Sequence, residues 1–108
     1  MAETFRMYNQ TLTTANANVY VSPANTTSIV ILGQIANVDT SNAADVYVMA
    51  TDSGNTSTRF LAKKVPVPAA AATTFLSGKL VLEAGDYISA NANSNSSIDV
   101  TVSVLQIT

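Results

Sequence analysis

The sequence predicts an all-β fold, a single antiparallel β-sandwich of about seven to eight strands, either immunoglobulin-like or jelly-roll-like. Three observations lead to this fold class. β-branched residues are abundant, whereas the good helix formers Lys, Glu, Gln, Arg and Leu are scarce. Short apolar runs alternate with clusters of Asn, Ser, Thr and Gly that mark turns. The turns recur about every 8–12 residues, as in a sandwich, although a closed barrel would fit the same pattern.

The 108 residues are enough for one domain. We expect a single sandwich over residues 1–108, with a short N-terminal arm of about residues 1–8. Ser, Thr and Asn make up 35 of the 108 residues, whereas charged residues are only 11%, so the surface should be polar but nearly uncharged. A hydrophobic fraction of 47% and a mean hydropathy of +0.24 argue for a folded core and against disorder.

The composition excludes several kinds of chemistry. The chain has no Cys and no His, which removes disulfides, imidazole metal ligands, cysteine nucleophiles and Ser-His-Asp triads. A net charge of −2 offers no basic footprint for nucleic acid. No apolar run approaches the roughly 18 residues of a membrane-spanning helix, and we expect neither a membrane segment nor a signal peptide. No catalytic constellation can be read from the remaining residues, so we expect neither an enzyme nor a cofactor.

The first three strands are predicted from apolar runs that end at turn residues. Phe5–Leu12 is the first candidate, and Val19–Val21 is a short second one. Thr27–Val38 gives the strongest signal, because it carries apolar residues on both faces. Such a strand is either central and buried on both sides, or it has one face against a partner subunit.

Two further strands follow in the middle of the chain. Ala44–Thr51 alternates between apolar and polar residues and lies between the predicted turns Asp39–Asn42 and Asp52–Asn55. Each turn offers one carboxylate, fewer than a calcium site needs. The next strand is Thr58–Val65. The prolines that follow it cannot donate to a hydrogen-bond ladder, so this end should be an edge or a crossover.

The last strands surround a tight turn. Leu80–Leu82 and Tyr87–Ala92 flank Glu83–Asp86, in which Gly85 should adopt a positive φ. The two carboxylates of this turn could act as a catalytic pair if they flanked a cleft, but we expect them to cap a solvated hairpin. Ile98–Ile107 is the last strand and alternates cleanly. The residues expected to face inward are Ile98, Val100, Val102 and Val104. Leu105 and Ile107 add apolar groups on the other face, which indicates a bulge or burial against another surface.

Two sets of side chains leave a binding role open. Lys63 and Lys64, beside Arg59, form the basic cluster of the sequence. We expect these lysines to protect an edge strand from aggregation, although they could contact an acidic partner. The chain also has four tyrosines and no tryptophan. Tyrosines on an exposed face would favour a glycan-binding module, whereas we expect them to fill the ends of the sandwich or a subunit interface.

Most of the chain resembles a known family through its turns and strands. The segments that carry the resemblance are Val19–Thr27, Ile35–Val38, Phe60–Pro68, Leu76–Ile88 and Ile98–Val104. They are similar to the small β-sandwich virion proteins of tailed bacteriophages, which sit on the capsid, neck or tail. The resemblance rests on turn-and-strand motifs and brings no binding residue with it.

This resemblance implies a virion structural protein that is assembled in the cytoplasm of a host bacterium. The first interpretation is a capsid decoration (cement) protein that stabilises the shell by non-covalent contacts. The alternative within the class is a neck, tail or fibre-base protein. The expected partners are the major capsid protein or other virion proteins, together with further copies of the chain in a homo-oligomer, with a trimer favoured. We expect no nucleic acid and no membrane as partners.

The predicted assembly contacts are apolar residues of three segments. These segments are the N-terminal arm, the strand with two apolar faces and the proline-containing edge. The predicted contacts are Phe5, Met7, Tyr8, Ile29, Ile31, Ile35, Val65, Pro66, Val67 and Pro68.

Overall fold

The computed structural model describes residues 2–54, 57–76 and 78–108, and within them the chain is built from strands without helix. The strands are β1 Glu3–Thr11, β2 Ala17–Val21, β3 Thr27–Asn37, β4 Ala44–Asp52, β5 Ser57–Val67, β6 Ala72–Thr74, β7 Leu80–Leu82, β8 Tyr87–Ala92 and β9 Ile98–Ile107. The predicted all-β class is therefore confirmed. Met1 of the predicted arm and Asn55 of the predicted second turn lie outside the described residues.

The strands form two antiparallel sheets that pack against each other. The first sheet has the order β1-β9-β3-β6, with β7 also paired to β3, and the second sheet has the order β2-β8-β4-β5. β6 and β7 pair with different parts of β3, so together they occupy one strand position. The chain forms one long hairpin that is rolled into two sheets. From the tip of this hairpin outward, its successive strand pairs are β4–β5, β3–β6/β7, β2–β8 and β1–β9. This is a jelly-roll arrangement, which decides between the two predicted kinds of sandwich.

The core lies between the sheets and follows the predicted alternation of β9. Its inward residues from Ile98 to Val104 are completely buried, as predicted. Val46 and Val48 of β4 contribute to the same cluster from the second sheet and are equally buried. Full burial of one such side chain contributes about 1.5–3 kcal/mol, so this aliphatic layer holds the two sheets together.

A β-bulge in β3 changes which of its residues face the core. The pairing of β3 with β9 shifts between Val30 and Leu32, so that Ile31 is an extra residue in the ladder. Val30 is buried before the bulge, and the odd-numbered Ile35 is buried after it. A shift of one residue reverses the alternation, because successive side chains point to opposite faces. β3 is central in its sheet, as predicted, but Ile31 and Leu32 are exposed on the outer face.

The turn Glu83–Asp86 is anchored from inside. Gly85 has a φ of 88°, which confirms the predicted positive φ. The expectation of a solvated carboxylate is wrong for Asp86, which is 7% exposed. Its Oδ2 accepts a 2.9 Å hydrogen bond from the backbone amide of Glu83, and its Oδ1 accepts one of 3.1 Å from the backbone amide of Ser53. The carboxylate therefore joins this turn to the β4–β5 hairpin.

Candidate interaction surface

The outer face of the first sheet carries a strip of apolar side chains that are in register across four strands. Phe5 of β1 pairs with Leu105 of β9, which pairs with Ile29 of β3. Ile29 pairs on its other side with Val81 of β7. Phe5 is 72% exposed and Val81 is 59% exposed, and the two residues between them are half-buried. Because opposite residues on a sheet face have Cβ atoms about 4.5–5.5 Å apart, the four side chains form one continuous strip.

A second row of exposed apolar side chains lies beside this strip. Met7 of β1 is 64% exposed, and Ile31 and Leu32 of β3 are exposed as well. Both residues of β3 lie on this face because the bulge interrupts the alternation between inward and outward side chains. The two rows together are called the apolar band here: Phe5, Met7, Ile29, Ile31, Leu32, Val81 and Leu105.

The other half of the same face is polar. Asn9 of β1 pairs with Thr101 of β9, and the neighbouring pair is Thr11 with Asp99. Thr11 Oγ1 donates a hydrogen bond of 2.8 Å to Asp99 Oδ1. These side chains line a shallow cleft of about 230 Å³. The face is thus divided into an apolar half and a polar half. Protein interfaces show a similar division between an apolar core and a polar rim.

Four of the predicted contact residues face the interior of the sandwich. Val65 is half-buried, lies opposite the buried Val46 and packs against the core. Ile35 and Val67 are completely buried and belong to the core, Ile35 because the bulge in β3 turns it inward. Tyr8 shares its face with the buried residues of β9, and its ring centroid lies 4.8 Å from that of Tyr20. These four side chains are therefore not part of the exposed contact surface.

The predicted N-terminal arm is a strand from Glu3 onward. β1 pairs with β9 without a register shift, from Glu3 opposite Ile107 to Thr11 opposite Asp99. Phe5 is therefore held at a fixed place in the sheet rather than on a free arm.

The predicted proline-containing contact lies on the other sheet. Val65 and Pro66 belong to β5, which is an edge strand of the second sheet, as predicted, and Pro68 follows it. Val65 is half-buried, and both prolines are exposed. β1 lies beside β2, at the opposite end of the second sheet from β5. The structure therefore does not bring this segment together with Phe5 and Met7.

The predicted contacts do not include three members of the apolar band. Leu105 was expected to put an apolar group on the other face of the last strand, at a bulge or against another surface, and it lies on the outer face without a register shift in its pairing with β1. The outward position of Leu32 depends on the bulge in β3, which the sequence does not predict. Val81 carried no signal, since β7 has three residues and only its pairing with Ile29 brings it to this face.

The outer face of the second sheet carries aromatic side chains. Tyr47 and Tyr87 are half-buried there, and Phe60 is exposed. Lys63 Nζ lies 5.2 Å from the centroid of the Phe60 ring, which is within the range of a cation–π contact. Asn91 pairs with Tyr47, and its buried Oδ1 has no hydrogen-bond partner among the described residues. This face is the place where an aromatic binding platform would lie.

The carboxylates considered as a catalytic pair border a groove between the edges of β5 and β7. The groove has a volume of about 340 Å³, and Leu61 and Leu80 are among the side chains that line it. Asp86 is engaged with backbone amides, while Glu83 is exposed. No group of three or more His, Cys, Asp or Glu side chains in residues 2–54, 57–76 and 78–108 could hold a metal ion. The same described ranges contain no helix of the length and hydrophobicity needed to span a membrane.

The fold and this surface define a jelly-roll protein with an exposed apolar sheet face. No protein-family profile matches the chain, and no curated protein sequence matches it. Solved structures share its fold. One is the structure of Bacillus endospore appendages, a family of disulfide-linked pili, with a TM-score of 0.56 and 10% identity over 99% of this chain and 87% of that chain. This chain has no Cys, so it cannot form such links.

Two viral structures are similar in the same way. The acidic stable capsid of Helicobacter pylori bacteriophage KHP30 has a TM-score of 0.54 and 11% identity over 98% of this chain and 87% of that chain. The structure of infectious bursal disease virus, Gx strain, has a TM-score of 0.54 and 11% identity over 97% of this chain. The similar region covers 30% of that viral chain. At these identities the likeness shows a shared fold.

Proposed function

We propose that this chain is a structural protein of a bacteriophage virion and acts as a capsid decoration (cement) protein. The observation that carries the proposal is the apolar band on the outer face of the first sheet. A contiguous exposed apolar patch usually marks an interaction site. Two supports come from elsewhere, namely the fold shared with the capsid of phage KHP30 and the resemblance of the sequence to phage virion proteins. The role requires burial of surface and no chemistry.

Binding through the apolar band would stabilise a shell by mass action. A protein that binds the assembled particle in preference to its free subunits shifts the equilibrium towards the particle. Full burial of a large apolar side chain contributes about 1.5–3 kcal/mol before the entropic costs of association. Phe5 and Met7, at 72% and 64% exposed, have the most surface to lose and should contribute most. Asn9 and Thr101 would form part of the polar rim.

The proposed partner is the major capsid protein. Other virion proteins are the alternative, in which case the chain would belong to a neck, tail or fibre base. The exposed edge residues Pro66 and Pro68 remain a predicted second contact, far from Phe5. The homotrimer that the resemblance favours is one possible oligomer, and the solution mass of the purified protein distinguishes it from a dimer.

Quantitative mass spectrometry of purified particles tests the proposal. A decoration protein should be present on the order of hundreds of copies per particle, because it follows the symmetry of the shell. Particles from which the chain has been stripped should also release their contents at a lower temperature than complete particles. About a dozen copies would replace the decoration role by a neck or tail role, because rings there have few subunits. Absence of the chain from purified particles would contradict the virion role.

A glycan-binding module is the second candidate function, and the outer face of the second sheet favours it. Tyr47 and Tyr87 both lie on this face, and β4 and β8 place them four residues apart along the strands. That separation is about 13 Å, so two sugar units could stack on the two rings. A glycan array is the direct test. Binding that is lost in Tyr87→Ser would support this role, and an array without signal would exclude it for the glycans tested.

A further inference from the structure

β1 presents an open sheet edge whose hydrogen-bonding groups can be assigned. Ala2 and Thr108 exchange two backbone hydrogen bonds, of 3.2 and 2.9 Å, and Leu12 N donates one of 2.7 Å to Ile98 O. In an antiparallel ladder, residues that bond to the partner strand alternate with residues whose N–H and C=O point away. The even-numbered residues of β1 therefore bond to β9. The residues with outward N–H and C=O groups are Glu3, Phe5, Met7, Asn9 and Thr11.

The other edges in the described part of the chain are protected against strand pairing. β2 has five residues, and its pairing with β8 shifts between Asn18 and Tyr20. β5 has a bulge at Lys63 and Lys64, with Lys64 at a φ of 55°, and carries Pro66 near its end. β6 and β7 have three residues each. Short strands, bulges, lysines and prolines are the means by which proteins prevent edge-to-edge association, and β1 combines nine residues with an unbroken register.

We propose that β1 pairs with β1 of a second copy of this chain, antiparallel and about a twofold axis at Met7. A second copy offers one unprotected edge among its described strands, so the two open edges meet each other. The outward groups of Met7 then bond to Met7 of the other copy, Phe5 bonds to Asn9, and Glu3 bonds to Thr11. With the axis at Met7, each of the five outward residues of β1 lies opposite an outward residue of β1 in the other copy.

The charges of β1 are compatible with this pairing. Glu3 lies opposite Thr11 of the other copy, and Arg6 lies opposite Tyr8, so like charges do not face each other. The pairing also joins the two first sheets side by side, so that the apolar bands of the two copies meet at Met7. Self-association of this kind does not depend on the proposed virion role, and the two can fail separately.

Light scattering on the purified protein over a range of concentrations, combined with a proline substitution, tests the pairing. Met7→Pro removes an outward N–H at the axis and leaves the bonds to β9 intact, because the Met7 N–H points away from β9. Met7→Ala is the control, since it shortens the side chain and keeps the amide. We expect the wild type and Met7→Ala to form a dimer of twice 11.3 kDa. The dissociation constant of Met7→Pro should rise about thirtyfold or more, while its circular dichroism spectrum stays that of the wild type.

A mixing experiment locates the axis independently. Met7→Lys and Met7→Glu each place like charges opposite each other at the axis, so each variant alone should dimerise several-fold more weakly than the wild type. An equimolar mixture should restore the dimer, because Lys then faces Glu. A wild-type monomer at every concentration, a trimer, or a dimer that Met7→Pro leaves intact would overturn the proposal. A mixture that dimerises no more tightly than either variant alone, while the wild type dimerises, would overturn the axis at Met7.

Discussion

Gln106 Nε2 donates a hydrogen bond of 2.9 Å to Tyr20 Oη, which joins the last strand of the first sheet to β2 of the second sheet. Tyr20 Oη also lies 2.6 Å from Ser28 Oγ of β3, and Gln106 Oε1 accepts a 3.3 Å hydrogen bond from Arg6 Nε of β1. Buried polar groups are tolerated when they are hydrogen-bonded, which requires their partners to lie at matching positions on the neighbouring strands. This network therefore fixes the relative positions of four strands at the end of the sandwich that carries the apolar band.

Tyr20→Phe should lower the free energy of unfolding by about 1–3 kcal/mol. The substitution keeps the ring but removes the hydroxyl that is hydrogen-bonded to Gln106 and Ser28. A buried polar group that loses its hydrogen-bond partner lowers the free energy of unfolding by about 1–3 kcal/mol. Urea denaturation gives the measurement. Tyr87→Phe is the matched control on the outer face of the second sheet and should change stability by less than about 0.5 kcal/mol. Equal stability of the two variants would show that the network does not contribute.

Asp86→Ala should destabilise the fold by about 1.5–3 kcal/mol. The carboxylate accepts hydrogen bonds from the backbone amides of Glu83 and Ser53, and hydrogen bonds to charged groups are worth about that much. Glu83→Ala, in the same turn but on an exposed side chain, should be close to neutral. If the two variants unfold at the same urea concentration, the Asp86 carboxylate does not anchor the turn.

Gly33→Ala should destabilise the fold by about 1–3 kcal/mol through overpacking. A Cβ on Gly33 would lie 2.5 Å from Phe75 Cζ, and Phe75 is a buried residue of the core. Gly54→Ala is the control, because the nearest atom to its added Cβ would be the carboxylate oxygen of Asp52 at 3.3 Å. Thermal unfolding of the two variants compares them directly. Unchanged stability in Gly33→Ala would mean that the Phe75 ring can move away.

Asp39 should give the fold a small stabilisation that is lost in acid. The backbone amide of Ser41, followed by the side chain and backbone of Asn42, holds the pKa of Asp39 below its ordinary value of 3.8. Because the folded-state pKa is the lower one, the unfolded chain binds the proton first. The stabilisation is therefore complete well above pH 3.8 and disappears as the pH falls through the folded-state pKa. Urea midpoints of the wild type and Asp39→Asn should differ at pH 7 and converge below pH 3.8, and a constant difference would contradict this.

The sandwich could be predicted from local sequence because a strand such as β9 alternates without interruption. From Ile98 to Val104 every second residue is apolar, and all of these residues are buried. The bulge in β3 could not be predicted in the same way. The run Ile29–Leu32 is apolar throughout, so residue type does not show where the alternation reverses. That reversal arises from pairing with β9, and it places Ile35 inside.

The candidate surface could be predicted only where one strand supplied it. Phe5 and Met7 were found because they are apolar residues close together in the chain. Their neighbours Leu105 and Val81 come from strands far away in the sequence, and only the register of four strands places them side by side. The burial of Asp86 was missed for the same reason, since Ser53 of another hairpin completes its environment.

The apolar band is the surface proposed to bind the particle, and cosedimentation with particles stripped of the chain tests this role most directly. Leu32→Ser combined with Val81→Ser alters β3 and β7, away from the β1 edge, and should weaken binding about tenfold or more. Val21→Ser combined with Phe60→Ser likewise replaces two exposed apolar side chains, on the outer face of the second sheet, and should bind like the wild type. Undiminished binding by the first variant, or loss in the second variant alone, would contradict this role.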